Sequence, residues 1–310
     1  LIRQMIEKIS KYKNSIFWGF NNTEFDEHVL RSTLFQNLEY PYVTVSNGNE
    51  RGDILNLARC CDLYYPGCIK TEINKKTMNP IFKLPKLAPL NGITKFKFHN
   101  AMDDVLATIE IAKLLKKKAP NIWEASLLTT NKDKCLRTIK EELLFCTSFF
   151  YGKAKPYVLT YVCEHPWGNP CTFDLKEDPS YYFNLSMQDL KKEIFHGKPK
   201  VFKIIKHKNH PIIMHPEYGM NFDNYKQLGL EKLRSRAKQI RDNKSFSEKV
   251  STILYDDIRE KEETDSQLDI YAEQSIYKGK FASKEDNAVM SEFHKAEWKD
   301  RFSILQKFQD

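Results

Sequence analysis

His99-Asn100-Ala101-Met102-Asp103-Asp104, taken with Asn21-Asn22-Thr23-Glu24-Phe25-Asp26 upstream, decides how the rest of this chain is read. Asp26 and Asp104 are carboxylates in separate segments, the arrangement from which hard divalent cations gather oxygen ligands. His99 carries the side chain whose ordinary pKa lies nearest neutrality. Inside one helix, five residues would turn His99 and Asp104 about 140° apart, so they could not share a face. The spacing therefore predicts His99 on a loop and Asp104 in the first turn of the helix that follows.

Val105, Thr108, Ile109, Ala112 and Leu115 recur at three- and four-residue steps, which predicts an amphipathic helix with one buried stripe. Lys116-Lys117-Lys118 suit the negative end of its dipole, and Pro120 stops it. Two carboxylates and an imidazole of this kind suit phosphodiester hydrolysis. Two divalent ions about 3.5–4 Å apart stabilise the attacking and leaving oxygens, while the imidazole takes a proton from the attacking water. Asp103 and Glu27 stand beside the chosen acids but point about 100° away along a helix, so solvent or a supporting position is expected for both.

His-x-Ala-x-x-Asp preceded by Asn-x-x-Phe-Asp resembles the third and second motifs of the DEDDh exonucleases, the DnaQ-like branch of the ribonuclease H-like fold. Longer stretches are similar to the bacterial exonuclease I family: Gly19-Phe20-Asn21-Asn22, Phe25-Asp26-Glu27, Phe82-Lys83-Leu84, Leu90-Asn91-Gly92-Ile93, and Ala101 to Leu114. Fainter likeness continues through Glu164-His165-Pro166, Arg241-Asp242-Asn243 and Tyr277-x-Gly279-x-Phe281. The resemblance implies an α/β exonuclease domain at 1–118, an SH3-like domain at 119–255 and the start of a helical region at 256–310. It implies His99 as general base, Asp26 and Asp104 as metal ligands and two Mg²⁺ ions, or Mn²⁺, as cofactors. The family's first motif, an Asp-x-Glu pair on an early strand, has no counterpart among the 310 residues. The expectation is thus an internal fragment of a longer enzyme, inactive by itself because half of the metal cage is absent.

The implied activity is 3′-to-5′ degradation of single-stranded DNA to mononucleotides in DNA repair, with single-strand-binding protein as a family partner and a monomeric state. A DEDDh exoribonuclease, a proofreading subunit and a non-catalytic DNA-binding remnant are the alternatives. Sequence-tolerant binding of a single strand needs basic groups and aromatic platforms. Phe25 is expected against the terminal nucleotide and Asn22 near a phosphate, with Lys153 and Lys155 tracking the backbone. Arg59, Lys83 and Arg241, where the resemblance continues, are added as phosphate contacts. Phe149 and Phe150 are expected in the core.

A formal charge of +8 leans toward a polyanionic partner, although Lys in a chain rich in Asn and Ile also fits an AT-rich genome. Hydrophobic residues at 41% and a mean hydropathy of −0.57 describe a globular chain without a membrane span. Seven cysteines include no Cys-x-x-Cys, so reduced thiols and a cytoplasmic setting are expected. His207 and His210 lie near no cysteine pair and read as surface or turn residues rather than zinc ligands.

Local pattern predicts helices over Ile2 to Tyr12, Glu27 to Leu38 and Asp53 to Leu63, a buried strand over Ser15 to Phe20, and a connection from Lys70 to Pro85. Strand-like runs at Phe149 to Tyr151, Pro156 to Val162, Thr172 to Leu175, Val201 to Ile205 and His210 to Ile213 suggest a small β-barrel. A helix is expected from Ser186 to Phe195. Asp256 to Asp265 reads as a linker or exposed helix edge, Ser283 as a helix cap, and Trp298 to Phe308 as an amphipathic run.

Overall fold

The computed structural model describes residues 2–98, 100–265, 276 and 282–308; His99 and Tyr277 to Phe281 lie outside them. The chain opens with α1 (Ile2–Ile9), β1 (Ile16–Gly19), α2 (Asp26–Gln36), β2 (Glu50–Asp53) and α3 (Ile54–Tyr64). β1 and β2 run parallel with Trp18 opposite Gly52. A Cβ on Gly52 would come within 2.3 Å of the Trp18 ring, so only glycine lets that indole lie across the strand. There it stacks on Trp123 with centroids 5.3 Å apart. β2 is buried from Arg51 to Asp53, whereas no residue of β1 is, contrary to the buried strand expected there. Among the described residues β1 pairs with β2 alone.

Lys70 to Pro85 is not wholly irregular: β3 (Glu72–Ile73) and β4 (Pro80–Ile81) make a short antiparallel pair before α4 (Leu84–Leu90). α5 (Ala101–Lys118) has the predicted bounds. Asn100 caps it, its side chain accepting from the amides of Met102 and Asp103. Its buried stripe differs from the expected one. Ala107, Thr108, Ile111 and Leu115 face inward, while Val105 and Ile109 are exposed. The stripe repeats at the same interval, turned around the axis, because a period does not say which of two neighbouring apolar rows meets the core.

α6 (Pro120–Thr130) and α7 (Lys132–Glu141) follow, two helices in a stretch for which the local pattern predicts no element. α6 packs on β2 and α3, so the expected boundary after Lys118 falls inside one packed body. β5 (Phe145–Tyr151), β6 (Lys153–Glu164), β7 (Pro170–Asp174) and β8 (Phe202–Ile204) then form an antiparallel sheet in chain order. α8 (Pro179–Phe183) and α9 (Met187–His196) fill the connection from β7 to β8. His210 to Ile213 adds no strand. The chain instead leaves β8 at one edge and returns at the opposite edge, where Met214 bridges Cys146 of β5. That return curls the sheet toward a barrel.

α10 (Asp223–Lys226), α11 (Leu230–Asp242) and α12 (Lys244–Asp265) come next, the last two packing on β6. α12 runs unbroken through the boundary expected at 255/256. α13 (Lys284–Lys295) opens with a reciprocal cap between Ser283 and Asp286, and α14 (Arg301–Leu305) leaves Phe302 exposed. Most buried apolar residues form one core running from α3 and α5 through the sheet to α11 and α12. All seven cysteines are free and buried. No helix among the described residues is long and apolar enough to cross a membrane.

Candidate active site and nucleic-acid groove

β1 ends in a tight passage. A Cβ on Gly19 would meet the Asn22 side chain at 2.6 Å, and Asn21 takes a left-handed φ of 64°. Asp53, at the end of β2, holds this passage in shape. One carboxylate oxygen accepts from the Asn21 amide at 2.9 Å and the Leu55 amide at 2.9 Å. The other accepts from the Thr23 hydroxyl at 2.8 Å and the Thr23 amide at 3.3 Å. Asp53 thereby caps α3 and fixes the turn that delivers Phe25 and Asp26.

Asp26 starts α2 with its side chain exposed. Partial desolvation raises its pKa from the ordinary carboxylate value, helped by the negative charges of Asp53 and Glu27 and opposed by a backbone hydrogen bond. Phe25 is 63% exposed beside it. Glu27 is buried instead of facing water. It pairs with Arg31 at 2.9 Å and Arg51 at 3.2 Å and accepts from the Thr44 hydroxyl at 2.8 Å. The supporting position expected for Glu27 is the one it takes.

Asp104 lies half-buried in the first turn of α5, and its Oδ1 is buried without a hydrogen-bond partner. Such an oxygen costs free energy unless something positive meets it. Asp103, next to it, accepts instead from the Lys97 amide. Asn22 is buried too, and its Oδ1 likewise lacks a partner. Among the described residues, no three carboxylate, imidazole or thiol groups gather closely enough to hold a metal by themselves.

A cleft of about 470 Å³ lies between α3 and the β-sheet, lined by Arg59, Phe149, Phe150, Tyr151, Lys200 and Lys206, among others. Arg59 lies over the Phe150 ring, its Cζ 3.9 Å from the centroid, and its Nε has no hydrogen-bond partner. Desolvation lowers the Arg59 pKa, while Asp53 and Glu24 act the other way, which places this cation in the electrostatic field of the Asp26 turn. A second cleft shares Tyr151, Lys200 and Lys203 with the first. Lys203 is buried among aromatic rings, 4.4 Å from the Tyr157 centroid and 5.3 Å from that of Tyr151. Phe150 is thus a wall of the cleft rather than a core residue.

The remaining expected contacts divide. Lys83, Lys153 and Lys155 are exposed, the last with its ammonium over the Tyr151 ring. Arg241 is half-buried, its guanidinium already engaged within the protein. It donates to the Thr160 hydroxyl and to the Lys140 and Glu142 carbonyls, and it covers the Tyr161 ring, fastening α11 to the sheet.

His207 and His210, read as surface or turn residues, are turn residues but buried. Desolvation lowers the His207 pKa to about 4 and also lowers that of His210. Unfolded, each binds a proton near pH 6.5. Both contribute stability above that value and lose it as pH falls below. Between pH 7 and 4.5 the protein is expected to lose on the order of 2 kcal/mol at His207 alone, measured by urea unfolding across pH. A flat profile would refute the buried neutral imidazole. Asp174, whose pKa is raised first by desolvation, acts in the opposite direction at the acidic end.

No family model matches the chain. Over 152 residues it is 35% identical to the exodeoxyribonuclease I of Buchnera aphidicola from Acyrthosiphon pisum, a match covering 47% of this chain and 37% of that protein. The Escherichia coli K12 protein of the same name is 35% identical over 122 residues, covering 39% of this chain and 26% of that one. Over the matched part, this chain is similar to bacterial exodeoxyribonuclease I. The exonuclease I fold reaches further than the sequence match. A moderately thermophilic exonuclease I from Methylocaldum szegediense superposes with a TM-score of 0.79 at 20% identity, over 100% of this chain and 66% of that one. E. coli exonuclease I in complex with a 5cy-dT13 oligonucleotide gives 0.73 at 22% identity, over 97% and 66%. The chain therefore spans about a third of these curated exodeoxyribonuclease I relatives and two thirds of the solved exonuclease I structures.

Sequence reasoning missed Asp53, Asn209 and His210 as parts of this site. Asp53 carried a visible signal, an aspartate directly before an apolar helical pattern. The other two carried none, because their partners lie more than 80 residues away.

Proposed function

We propose that the chain supplies the second and third acidic motifs and the DNA groove of a metal-dependent 3′-to-5′ exodeoxyribonuclease that degrades single-stranded DNA to mononucleotides in DNA repair. The observation that carries this reading is the buried, unpartnered oxygen of Asp104 at the head of the helix whose motif matches the exonucleases. The donors fit the group. Asp26 and Asp104 offer hard carboxylate oxygens, the choice for Mg²⁺ or Mn²⁺, and they would hold two such ions together with an Asp-x-Glu pair that this sequence does not contain. Bound there, the ions supply charge stabilisation at the attacking and leaving oxygens.

The chain's own residues do the rest. His99 takes the proton of the attacking water. Phe25, aromatic and exposed, stacks on the terminal base. Arg59, made rigid by Phe150, meets a phosphate in the first cleft, with Lys200 and Lys206 along the same wall. The curled sheet is read as the SH3-like domain that carries this wall. Single-strand-binding protein is the proposed partner, after the solved structure described as an ExoI/SSB-Ct complex.

Binding of 3′-ended oligonucleotides by the intact chain tests the groove. Arg59→Ala is expected to weaken binding about fivefold and to reduce the salt slope by about one, read by fluorescence anisotropy over a salt series. An unchanged slope would remove Arg59 from the contact. A second reading, a non-catalytic single-strand-binding remnant, is favoured by the Arg59–Phe150 cleft, which needs no metal to meet a strand. Metal-independent binding that survives every change at Asp26 and Asp104 would select it. Matched RNA and DNA strands separate the exodeoxyribonuclease from an exoribonuclease.

A further inference from the structure

The turn at Lys206 to His210, on the way from β8 back to the far sheet edge, inserts into the segment that carries the acidic motif. Arg51 donates its Nε to the Lys208 carbonyl at 3.1 Å, and Asn56 donates to the Asn209 carbonyl at 3.1 Å. Asn209 donates to Glu24 at 2.8 Å, two residues before Asp26. His210 is 1% exposed and lies in the left-handed region at φ 54°, a conformation that costs a non-glycine residue free energy unless neighbours hold it there. Three neighbours do so. Its Nδ1 accepts from the Asp53 amide at 3.0 Å, its Nε2 donates to the Ser126 carbonyl at 2.9 Å, and its ring meets Trp18 edge-on at 5.4 Å.

Asp53 is the common element. Its amide is held by His210, and its carboxylate shapes the passage from Asn21 to Thr23. We propose that the Lys208 to His210 turn is a clasp by which the β-sheet region sets the conformation of the Asn21 to Asp26 segment, with His210 as a positioning residue acting through Asp53. Asn209 is the second tooth of the clasp. It pins Glu24 from the outside while Asp53 pins Thr23 from within. The clasp explains why a turn from one part of the chain buries His207 and the left-handed His210 in another, where a plain reversal would have needed neither. Only its last consequence, placement of Asp26 for a cation, rests on the function proposed above.

The amides of Asn21 and Thr23 report the clasp directly, because both donate to Asp53. In the full chain, His210→Ala is expected to speed hydrogen exchange at both amides about tenfold while leaving α11 unchanged. His210→Asn keeps an acceptor at the Nδ1 position and tolerates the left-handed backbone, so it should restore protection to within about threefold. A folded His210→Ala protein with native protection at Asn21 and Thr23 overturns the proposal. Should that variant fail to fold, Asn209→Ala decides: about threefold faster exchange at Thr23 and Glu24 supports the clasp, and none overturns it. Mn²⁺ titration followed by electron paramagnetic resonance separates the two readings. With the chain joined behind a strand that supplies an Asp-x-Glu pair, lower Mn²⁺ affinity in His210→Ala supports both, whereas faster exchange in a fusion that binds no Mn²⁺ even with His210 in place supports the clasp and removes the metal assignment.

Discussion

Joined behind a β-strand that supplies an Asp-x-Glu pair, the chain is expected to release mononucleotides from single-stranded DNA, and Asp104→Asn in that fusion is expected to abolish the release. A cation that stabilises developing charge contributes several kcal/mol to the transition state, so losing its ligand charge should lower kcat by about a thousandfold or more. The substitution preserves shape. Its effect on folding should run the other way, because Oδ1 of Asp104 is buried without a partner and a neutral amide there is cheaper to desolvate than a carboxylate. Activity from a radiolabelled 3′ end and Tm from calorimetry, measured on the same preparation, therefore separate in sign. An Asp104→Asn fusion that retains activity would sink the assignment of the third motif, and one that loses both activity and Tm would make Asp104 a structural residue.

Asp53→Ala should produce the largest loss of stability. Its carboxylate receives the amides of Asn21, Thr23 and Leu55 and the hydroxyl of Thr23, at a position 1% exposed. Removing a shared acceptor leaves buried donors unsatisfied at about 1–3 kcal/mol each, and loss of the helix cap overlaps with the Leu55 share. About 4 kcal/mol is expected, equivalent to a fall in Tm of about 6 °C in a protein of this size. Asp53→Asn keeps one acceptor oxygen but turns an amide toward donors already in place, so it should fall between the two. A drop below about 1 kcal/mol for Asp53→Ala would mean that water replaces the carboxylate and that the passage does not depend on it.

The parts of the fold legible in the sequence are those set by neighbours along the chain. α5 begins and ends where its cap, its lysines and its proline say, and α9 and α13 follow their serine caps. Asp26 and Asp104 were legible as a motif, and both sit at helix starts. What failed depends on distant partners. The exposed Val105 and Ile109 and the half-open β1 are apolar by composition, and only the packing of other elements decides which apolar row is covered. α6 was hidden by its asparagine and threonines, which weaken a helical pattern that contacts with α3 and β2 then enforce, and α7 rests on α6 and the sheet. Arg241 reads as a surface cation until the carbonyls of Lys140 and Glu142, about a hundred residues earlier, come to meet it.

The unbroken course of α12 bears on how this protein is divided. Val250, Ile253, Leu254 and Ile258 form one continuous buried row on either side of the division read at 255/256. A cut there would sever a single apolar seam and leave a stump on each piece, so no swivel exists at that point. α12 is grafted onto the sheet as one continuous extension, and any truncation meant to isolate the sheet must fall after the seam is complete.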